Sequence, residues 1–186
     1  MILPRLELIH FRNYSKCHVS FGEHINLFIG SNGQGKTNVL EAIYVLSLTK
    51  SHRYGEQATL IQKEKELSKI KGTLKVNGIE KDLEVDIGKT TKKVFVNQTE
   101  ITKLSEYITN FNDTLFTPEH LDIVESSPQV RRNFLNIEIS QMNPSYTKCL
   151  NEYNRILKTR NEYLKSIYIN HLSDVRYLDV LTDKLI

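Results

Sequence analysis

The stretch INLFIGSNGQGKTNVLEAI, from Ile25 to Ile43, decides the fold of this chain. Within it, the pattern G-x-x-x-x-G-K-T begins at Gly30 and ends at Thr37, which is the spacing of a phosphate-binding loop. The apolar run Ile25–Ile29 predicts a strand buried on both faces, and the residues after the loop have helical apolar spacing. A strand, a glycine-rich loop and a helix in this order predict an α/β nucleotide-binding fold.

Each position of the loop has a chemical reason. Successive backbone N–H groups curled into a nest hold a polyphosphate, and Gly33 and Gly35 let the backbone curl and approach closely. The helix that begins near Gly35 directs the positive end of its dipole at the phosphates. Lys36 reaches the β- and γ-phosphates, and the Thr37 hydroxyl is a suitable ligand for Mg²⁺. The loop therefore predicts binding of a nucleoside triphosphate.

Composition limits the remaining function classes. The chain has 186 residues, of which 39% are apolar and 25% charged, as in globular proteins. No apolar run reaches membrane-spanning length and the N-terminus lacks a secretory pattern, so we expect a cytoplasmic protein with no membrane partner. The net charge of +3 permits nucleic-acid binding without arguing for it. Cys17 and Cys149 are expected to be free thiols, and no metal site made by protein ligands is predicted.

Periodicity predicts further elements around the loop. We expect strands within residues 3–11 and 16–30, a helix over 34–50 and antiparallel strands over 70–98. Asn77-Gly78, between two alternating runs, predicts a hairpin turn. The segment KKVFVNQTE predicts a third strand, residues 101–110 a helix, and residues 113–118 a short strand.

The C-terminal third has a different pattern. Ser127 and Pro128 predict the start of a helix. Beyond Pro144 a heptad pattern predicts a helical arm or hairpin with a break around residues 170–174, and its apolar residues are Leu150, Tyr153, Leu157, Leu164 and Ile167. The heptads pack either on the chain's own core or on a partner. The chain ends within this apolar phase, so we expect the arm to continue beyond it.

Three segments carry a resemblance to a known family. LELIHFRNY, GSNGQGKTNVLEAIYVLSLTKSHR and LFTPEHLDIVESSPQVRRNFLN together resemble the RecF family of bacterial repair proteins, which are similar to SMC and Rad50 heads. The resemblance implies an ABC/SMC-head P-loop fold: a mixed sheet with an antiparallel insert in an ATPase lobe (residues 1–120), and the start of a helical second lobe (121–186). It also implies a protein that binds ATP and Mg²⁺ and forms an ATP-dependent homodimer. Such a protein binds double-stranded and gapped DNA and acts with RecO and RecR to load RecA.

The resemblance also assigns candidate site residues. Arg12 and Asn13, in FRNY, match a family segment near the nucleotide, with a polar strand end as the alternative. His52 and Arg53, in SHR, match a family motif beyond the P-loop helix. Either is a candidate contact to phosphates or the dimer face, and Arg53 also to DNA, with a structural role as the alternative. Arg131 and Arg132 are candidate contacts to DNA or a partner subunit, with a solvated helix surface as the alternative. The ATP loop comprises Gly30, Ser31, Asn32, Gly33, Gln34, Gly35, Lys36 and Thr37, with Thr37 holding Mg²⁺.

Two motifs of an ATP-hydrolysing site are missing from the sequence. No run of four apolar residues followed by two acids is present, and neither is a serine-glycine signature. In the family both lie in the C-terminal half, so we expect this chain to bind phosphates and hydrolyse ATP negligibly. The alternatives are a small-molecule or nucleotide kinase, another SMC-like ATPase head, or a helical module that binds a partner through the arm from Tyr146 onward.

Overall fold

The computed structural model describes residues 1–53, 55–118, 127–170 and 176–185. They form two compact units, Met1–Met142 and Asn143–Ile186. The predicted lobe boundary at residues 120–121 lies outside the described residues. The strands are β1 Ile2–Phe11, β2 Tyr14–Ser20, β3 Leu67–Val76, β4 Ile79–Gly88, β5 Lys92–Val96 and β6 Thr99–Glu100. The α-helices are α1 Lys36–Leu48, α2 Leu104–Ile108, α3 Pro128–Met142, α4 Pro144–Asn170 and α5 Arg176–Asp183.

The strands form one sheet in the order β2-β1-β3-β4-β5-β6, and all of these neighbours pair antiparallel. This is the predicted antiparallel portion of the sheet. The predicted hairpin between β3 and β4 is confirmed, since Asn77 and Gly78 have φ values of 52° and 85°, which a tight hairpin turn requires. On the outer face, Lys69 lies 2.7 Å from Asp86 and 3.1 Å from Glu84. Cross-strand pairs of this kind are typical of a solvated sheet face.

Helix α1 packs on the inner face of the sheet and completes the core of the first unit. Ala42, Val45 and Leu46 of α1 are fully buried. The Tyr107 hydroxyl, from α2, donates a hydrogen bond of 2.7 Å to the Leu46 carbonyl, and burial raises the pKa of Tyr107. Gly72 of β3 leaves room for the Leu46 side chain. These contacts fix α1, and therefore the loop before it, on the sheet.

The strand predicted at Ile25–Ile29 is wrong. Residues 25–30 have no regular secondary structure, and the side chains of Ile25, Leu27 and Ile29 are 94%, 79% and 85% exposed. Only Phe28 packs inward, with its ring edge-on to Phe21 at 6.1 Å. A strand requires a neighbour to bond its backbone, and among the described residues none pairs with this segment.

Two further strand predictions need correction. Residues 113–117 are not a strand, because the Asp113 backbone bonds to the Gln141 side chain, with N···Oε1 2.9 Å and O···Nε2 3.0 Å. The predicted strand KKVFVNQTE is a hairpin, β5 and β6, which turns at Asn97 and Gln98 with φ values of 48° and 65°. No glycine marks that turn in the sequence.

The second unit is a pair of helices, as the predicted arm or hairpin requires. Among its described residues Ile156 of α4 and Leu181 of α5 are buried, and the rings of Tyr163 and Tyr177 meet edge-on at 5.1 Å. Arg160 donates a hydrogen bond of 3.0 Å from Nε to the Thr182 hydroxyl. The break is predicted around residues 170–174, of which residues 171–174 lie outside the described residues.

The buried face of α4 differs from the predicted heptad face. Tyr153 and Leu164 of that pattern are 45% and 37% exposed, whereas Ile156, outside the pattern, is buried. A hairpin with one short partner helix covers only one stripe of α4, and α5 covers the stripe of Ile156 and Tyr163. Both cysteines, Cys17 and Cys149, are free thiols as predicted. None of the helices in the described ranges combines the length and apolarity needed to cross a membrane.

Candidate phosphate-binding site

The loop before α1 has the backbone conformation that its glycines predict. Gly33 and Gly35 have φ values of 82° and 100°, in the left-handed region that favours glycine. A Cβ atom on Gly35 would lie 2.7 Å from the Tyr14 hydroxyl and 2.8 Å from Asn13 Nδ2. Position 35 therefore requires glycine both for its φ angle and for the close approach of the β1–β2 turn.

Lys36 extends its ammonium group back over the loop. Its Nζ donates hydrogen bonds of 2.8 Å to the carbonyls of Gly30 and Ser31. Within the described ranges no carboxylate forms an ion pair with Lys36, and the first turn of α1 contains no acidic residue. The charge of Lys36 and the N-terminus of α1 therefore present positive potential on the same side of the loop.

A cleft of about 280 Å³ adjoins the loop, and it is lined by Asn32, Gly33, Gly35, Lys36, Thr37, Asn38 and Arg53. A larger hollow, of about 550 Å³, lies on the outer face of the sheet. Its charges are mostly paired across strands, for example Lys71 with Glu84 at 3.1 Å. The smaller cleft is the better candidate for an anion, because the lysine that lines it has no acidic partner among the described residues.

Hydrogen bonds connect the loop to the predicted residues Asn13 and Arg53. Asn13 Nδ2 lies 3.4 Å from the Gln34 carbonyl, and Asn13 Oδ1 accepts a bond of 2.9 Å from Asn38 Nδ2. Arg53 Nη1 in turn donates to Asn38 Oδ1 at 3.1 Å. The structure thus brings Asn13 and Arg53 to the loop, and it adds Asn38, which sequence reasoning missed.

Arg12, which the resemblance places near the nucleotide, pairs with a buried carboxylate. Its Nη2 and Nε atoms donate bonds of 2.6 Å and 3.0 Å to the two carboxylate oxygens of Glu41, a fully buried residue of α1. Arg53 Nη1 lies 3.3 Å from the same carboxylate, and the Ser51 hydroxyl donates to it at 2.5 Å. Burial opposes ionisation of Glu41, but the hydrogen bonds and charges of these neighbours outweigh it and lower the pKa of Glu41.

Sequence reasoning did not identify Glu41. The available signal is its position in α1 among residues that the sheet buries, such as Val39 and Ala42. A carboxylate buried in such a stripe needs a cationic partner, and none lies within four residues of it on the helix. That signal predicts a distant arginine or lysine but does not say which one.

A second polar cluster joins α1 to α3. Ser47 of α1 donates a hydrogen bond to the Asp113 carboxylate, and Gln141 of α3 bonds the Asp113 backbone. Burial, assisted by the charge of Glu138, raises the pKa of Asp113 to about 6. Arg131 and Arg132 lie at exposed positions of the same α3, and neither belongs to the cleft lining.

Comparison with curated proteins finds relatives that match the whole length of this chain. The DNA replication and repair protein RecF of Oceanobacillus iheyensis is 42% identical over 186 residues, which cover 100% of this chain and 50% of that protein. RecF of Bacillus subtilis is 44% identical over 187 residues, again covering 100% of this chain and 50% of the relative. The chain thus spans about half the length of the curated relatives that it matches.

Solved structures show the same likeness. The recombination mediator protein RecF with ATP, in the RecFOR pathway, superposes with a TM-score of 0.92 at 31% identity, over 98% of this chain and 49% of that one. An SMC head domain from Thermotoga maritima superposes with a TM-score of 0.50 at 20% identity, over 60% of this chain and 43% of that one, and this likeness concerns the fold alone. Both confirm the predicted P-loop fold of ABC/SMC-head type.

A family model described as the RecF/RecN/SMC N terminal domain matches residues 2–127, which include the loop, α1 and the whole sheet. The segments from which the resemblance was inferred begin at Leu6 and end at Asn136, so they lie almost entirely within the matched range. The chain therefore belongs to the RecF/RecN/SMC N-terminal domain family.

Proposed function

We propose that this chain binds Mg-ATP through the loop Gly30–Thr37, within a RecF-type DNA replication and repair protein of the bacterial cytoplasm. The observation that carries the proposal is the Lys36 ammonium, held by the carbonyls of Gly30 and Ser31 at 2.8 Å beside the cleft at the start of α1. A solved relative that is 31% identical is described as RecF-ATP, which supports the choice of nucleotide.

The residues present fit this ligand. Lys36 would exchange its two carbonyl partners for phosphate oxygens, and the N–H groups of the loop would converge on the same phosphates. Thr37, exposed in the cleft lining, would offer its hydroxyl to Mg²⁺, which neutralises phosphate charge when bound. Arg53, also in the lining, would contact a phosphate from the rim, and Asn13 would keep the Gln34 carbonyl in place.

The nucleotide proposal is tested by titrating the chain with Mg-ATP in a calorimeter. We expect Lys36→Ala to weaken binding more than about tenfold, since a hydrogen bond to a charged group contributes about 1.5–3 kcal/mol. Lys63→Ala, which removes an exposed lysine outside the cleft, is the matched control and should bind as the unaltered chain does. Equal affinities for the two variants would refute the proposed site.

The chain by itself is expected to hydrolyse ATP negligibly, because the acids that position Mg²⁺ and the attacking water are missing from its sequence. Phosphate release is the measurement. Turnover well above background that disappears in Lys36→Ala would contradict this expectation.

The wider role follows from the relatives named DNA replication and repair protein RecF. We propose that the protein binds double-stranded and gapped DNA, forms an ATP-dependent homodimer, and acts with RecO and RecR to load RecA. Arg131 and Arg132, exposed on α3, are the proposed contacts to DNA or to the partner subunit. The family assignment argues against the kinase alternative.

DNA binding is tested by fluorescence anisotropy of a labelled duplex and a labelled gapped duplex, with and without Mg-ATP. Affinity that falls steeply between two salt concentrations would indicate phosphate contacts. Replacing both Arg131 and Arg132 by alanine should then reduce the salt dependence, because two cationic contacts are lost. An unchanged salt dependence would remove these two residues from the interface.

A further inference from the structure

Two arginines share the buried carboxylate of Glu41 unequally. Arg12 makes two bonds to it, at 2.6 Å and 3.0 Å, donates a third to the Thr59 carbonyl at 2.8 Å, and has a side chain only 20% exposed. Arg53 makes one contact to Glu41, at 3.3 Å, and its side chain is 38% exposed. Arg12 is therefore the firmly held partner and Arg53 the loosely held one.

This inequality determines which arginine is free to move. A buried carboxylate that loses its only cation is strongly destabilised. Glu41 keeps the two bonds of Arg12 when Arg53 departs, so the departure of Arg53 leaves no unpaired buried charge. The departure of Arg12 would break three bonds and leave the carboxylate with the Ser51 hydroxyl and with Arg53, its more distant cation at 3.3 Å.

The position of Arg53 gives it a nearby alternative partner. Its Nη1 atom also donates to Asn38 Oδ1 at 3.1 Å, and both residues line the cleft beside Lys36. A phosphate in that cleft competes directly with Asn38 and Glu41 for the guanidinium. Arg12 is absent from the cleft lining, so a phosphate in the cleft does not compete with Glu41 for its guanidinium.

We propose that Glu41 is a positioning residue of the nucleotide site, which holds Arg53 at the rim of the cleft, while Arg12 is the permanent counterion that allows Arg53 to leave. This inference rests on the proposed function, because it names how one contact to the bound phosphates is prepared. Arg12 acts through Glu41 and lies outside the cleft lining.

Double-mutant cycles on Mg-ATP affinity test the proposal. Arg53→Gln is expected to weaken binding about tenfold in the unaltered chain, the lower range for a hydrogen bond to a charged group. In a Glu41→Gln background, where Arg53 is no longer positioned, the same change should cost less than about threefold. Equal factors in the two backgrounds would show independent residues and overturn the proposal.

A second cycle separates the roles of Arg12. Arg12→Gln should weaken binding in the unaltered chain, because Glu41 then retains Arg53, and it should have little effect once Glu41 is glutamine. An equal loss in both backgrounds would mean that Arg12 contacts the ligand directly, and it would also overturn the proposal. Glu80→Gln, which removes an exposed carboxylate paired with Arg5 at 3.2 Å, is the matched control and should leave affinity unchanged.

Circular dichroism and thermal melts show whether each variant is folded. If Glu41→Gln does not fold, Ser51→Ala takes its place. It removes both the 2.5 Å bond to Glu41 and the 2.9 Å bond that the Ser51 hydroxyl accepts from the Arg53 backbone N–H, and Ser51 lies outside the lining of the loop cleft. The cost of Arg53→Gln should then be reduced in the Ser51→Ala background, and an unreduced cost would overturn the proposal. If the unaltered chain binds Mg-ATP and Lys36→Ala abolishes that binding, while the effects of Arg53→Gln and Glu41→Gln simply add, the positioning role alone is rejected. If the unaltered chain does not bind Mg-ATP, the proposed function is rejected as well.

Discussion

Replacing Asp113 by asparagine is expected to change the pH dependence of unfolding. Burial, with a smaller contribution from the charge of Glu138, raises the pKa of Asp113 from 3.8 to about 6 in the folded chain, although the Ser47 hydrogen bond opposes the shift. The folded state therefore keeps this proton at pH values where the unfolded state has lost it. Protonation of Asp113 contributes stability that is complete below about pH 4 and is lost as the pH rises through about 6.

The size of the effect follows from the shift in pKa. A shift of about two units corresponds to ~3 kcal/mol over the complete titration. Between about pH 4.5 and pH 7.5 the contribution of Asp113 falls by ~2 kcal/mol. Asparagine has nearly the same shape, keeps an oxygen that accepts the Ser47 hydrogen bond, and does not titrate. The variant should therefore gain ~2 kcal/mol relative to the unaltered chain on going from the lower to the higher pH.

Urea titration followed by far-ultraviolet circular dichroism, at the two pH values, measures this difference. Other acids with shifted pKa values, such as Glu41, titrate in both proteins and cancel in the subtraction. Glu138→Gln is the graded control and should give a smaller change of the same sign, because it removes only the lesser cause of the shift. A free-energy difference between Asp113→Asn and the unaltered chain that is constant with pH would refute the reasoning.

Three further substitutions have expected outcomes. Gly35→Ala, with φ of 100° and a Cβ only 2.7 Å from the Tyr14 hydroxyl, should cost about 1–3 kcal/mol of stability and weaken Mg-ATP binding in calorimetry. Tyr107→Phe removes the buried 2.7 Å hydrogen bond to the Leu46 carbonyl and should lower the free energy of unfolding by about 1–2 kcal/mol in urea. Gly72→Ala places a methyl group against the Leu46 side chain and should lower the same quantity by about 1–3 kcal/mol.

Gly78→Ala is the matched control for the glycine substitutions. Gly78 also has a positive φ, of 85°, but its added Cβ would meet no atom within 4 Å. Only backbone strain of about 1–2 kcal/mol is expected there, with no change in nucleotide affinity. Equal effects of Gly35→Ala and Gly78→Ala on affinity would contradict the role given to the loop. A Tyr107→Phe variant as stable as the unaltered chain would show that the carbonyl finds another donor.

Elements with local signals were predicted well. The loop from Gly30 to Thr37, the turn at Asn77-Gly78 and the helix that begins at Pro128 each depend on residues close together in the chain. A glycine with positive φ or a proline in the first turn acts through its own backbone, so the local conformation can be predicted from the residue type.

Elements that depend on a neighbour were predicted poorly. The apolar residues of Ile25–Ile29 suit a strand, but backbone hydrogen bonds to another strand are required to form one, and the described residues provide none there. At Asp113 the side chain of Gln141, 28 residues away, satisfies the backbone and replaces the predicted strand. Helix α4 likewise buries the stripe that α5 covers, although the heptad pattern favoured another.

The sequence by itself determined that this chain carries a phosphate-binding loop and belongs with RecF and SMC proteins, because both depend on contiguous residues with fixed spacing. Only the tertiary structure decided that Arg12 pairs with Glu41 and that Arg53 stands between this carboxylate and the cleft. These residues are 29 and 12 positions from Glu41. The strength of their pairing depends on burial and on distances between side chains, which exist only once β1, α1 and the segment after α1 have packed together.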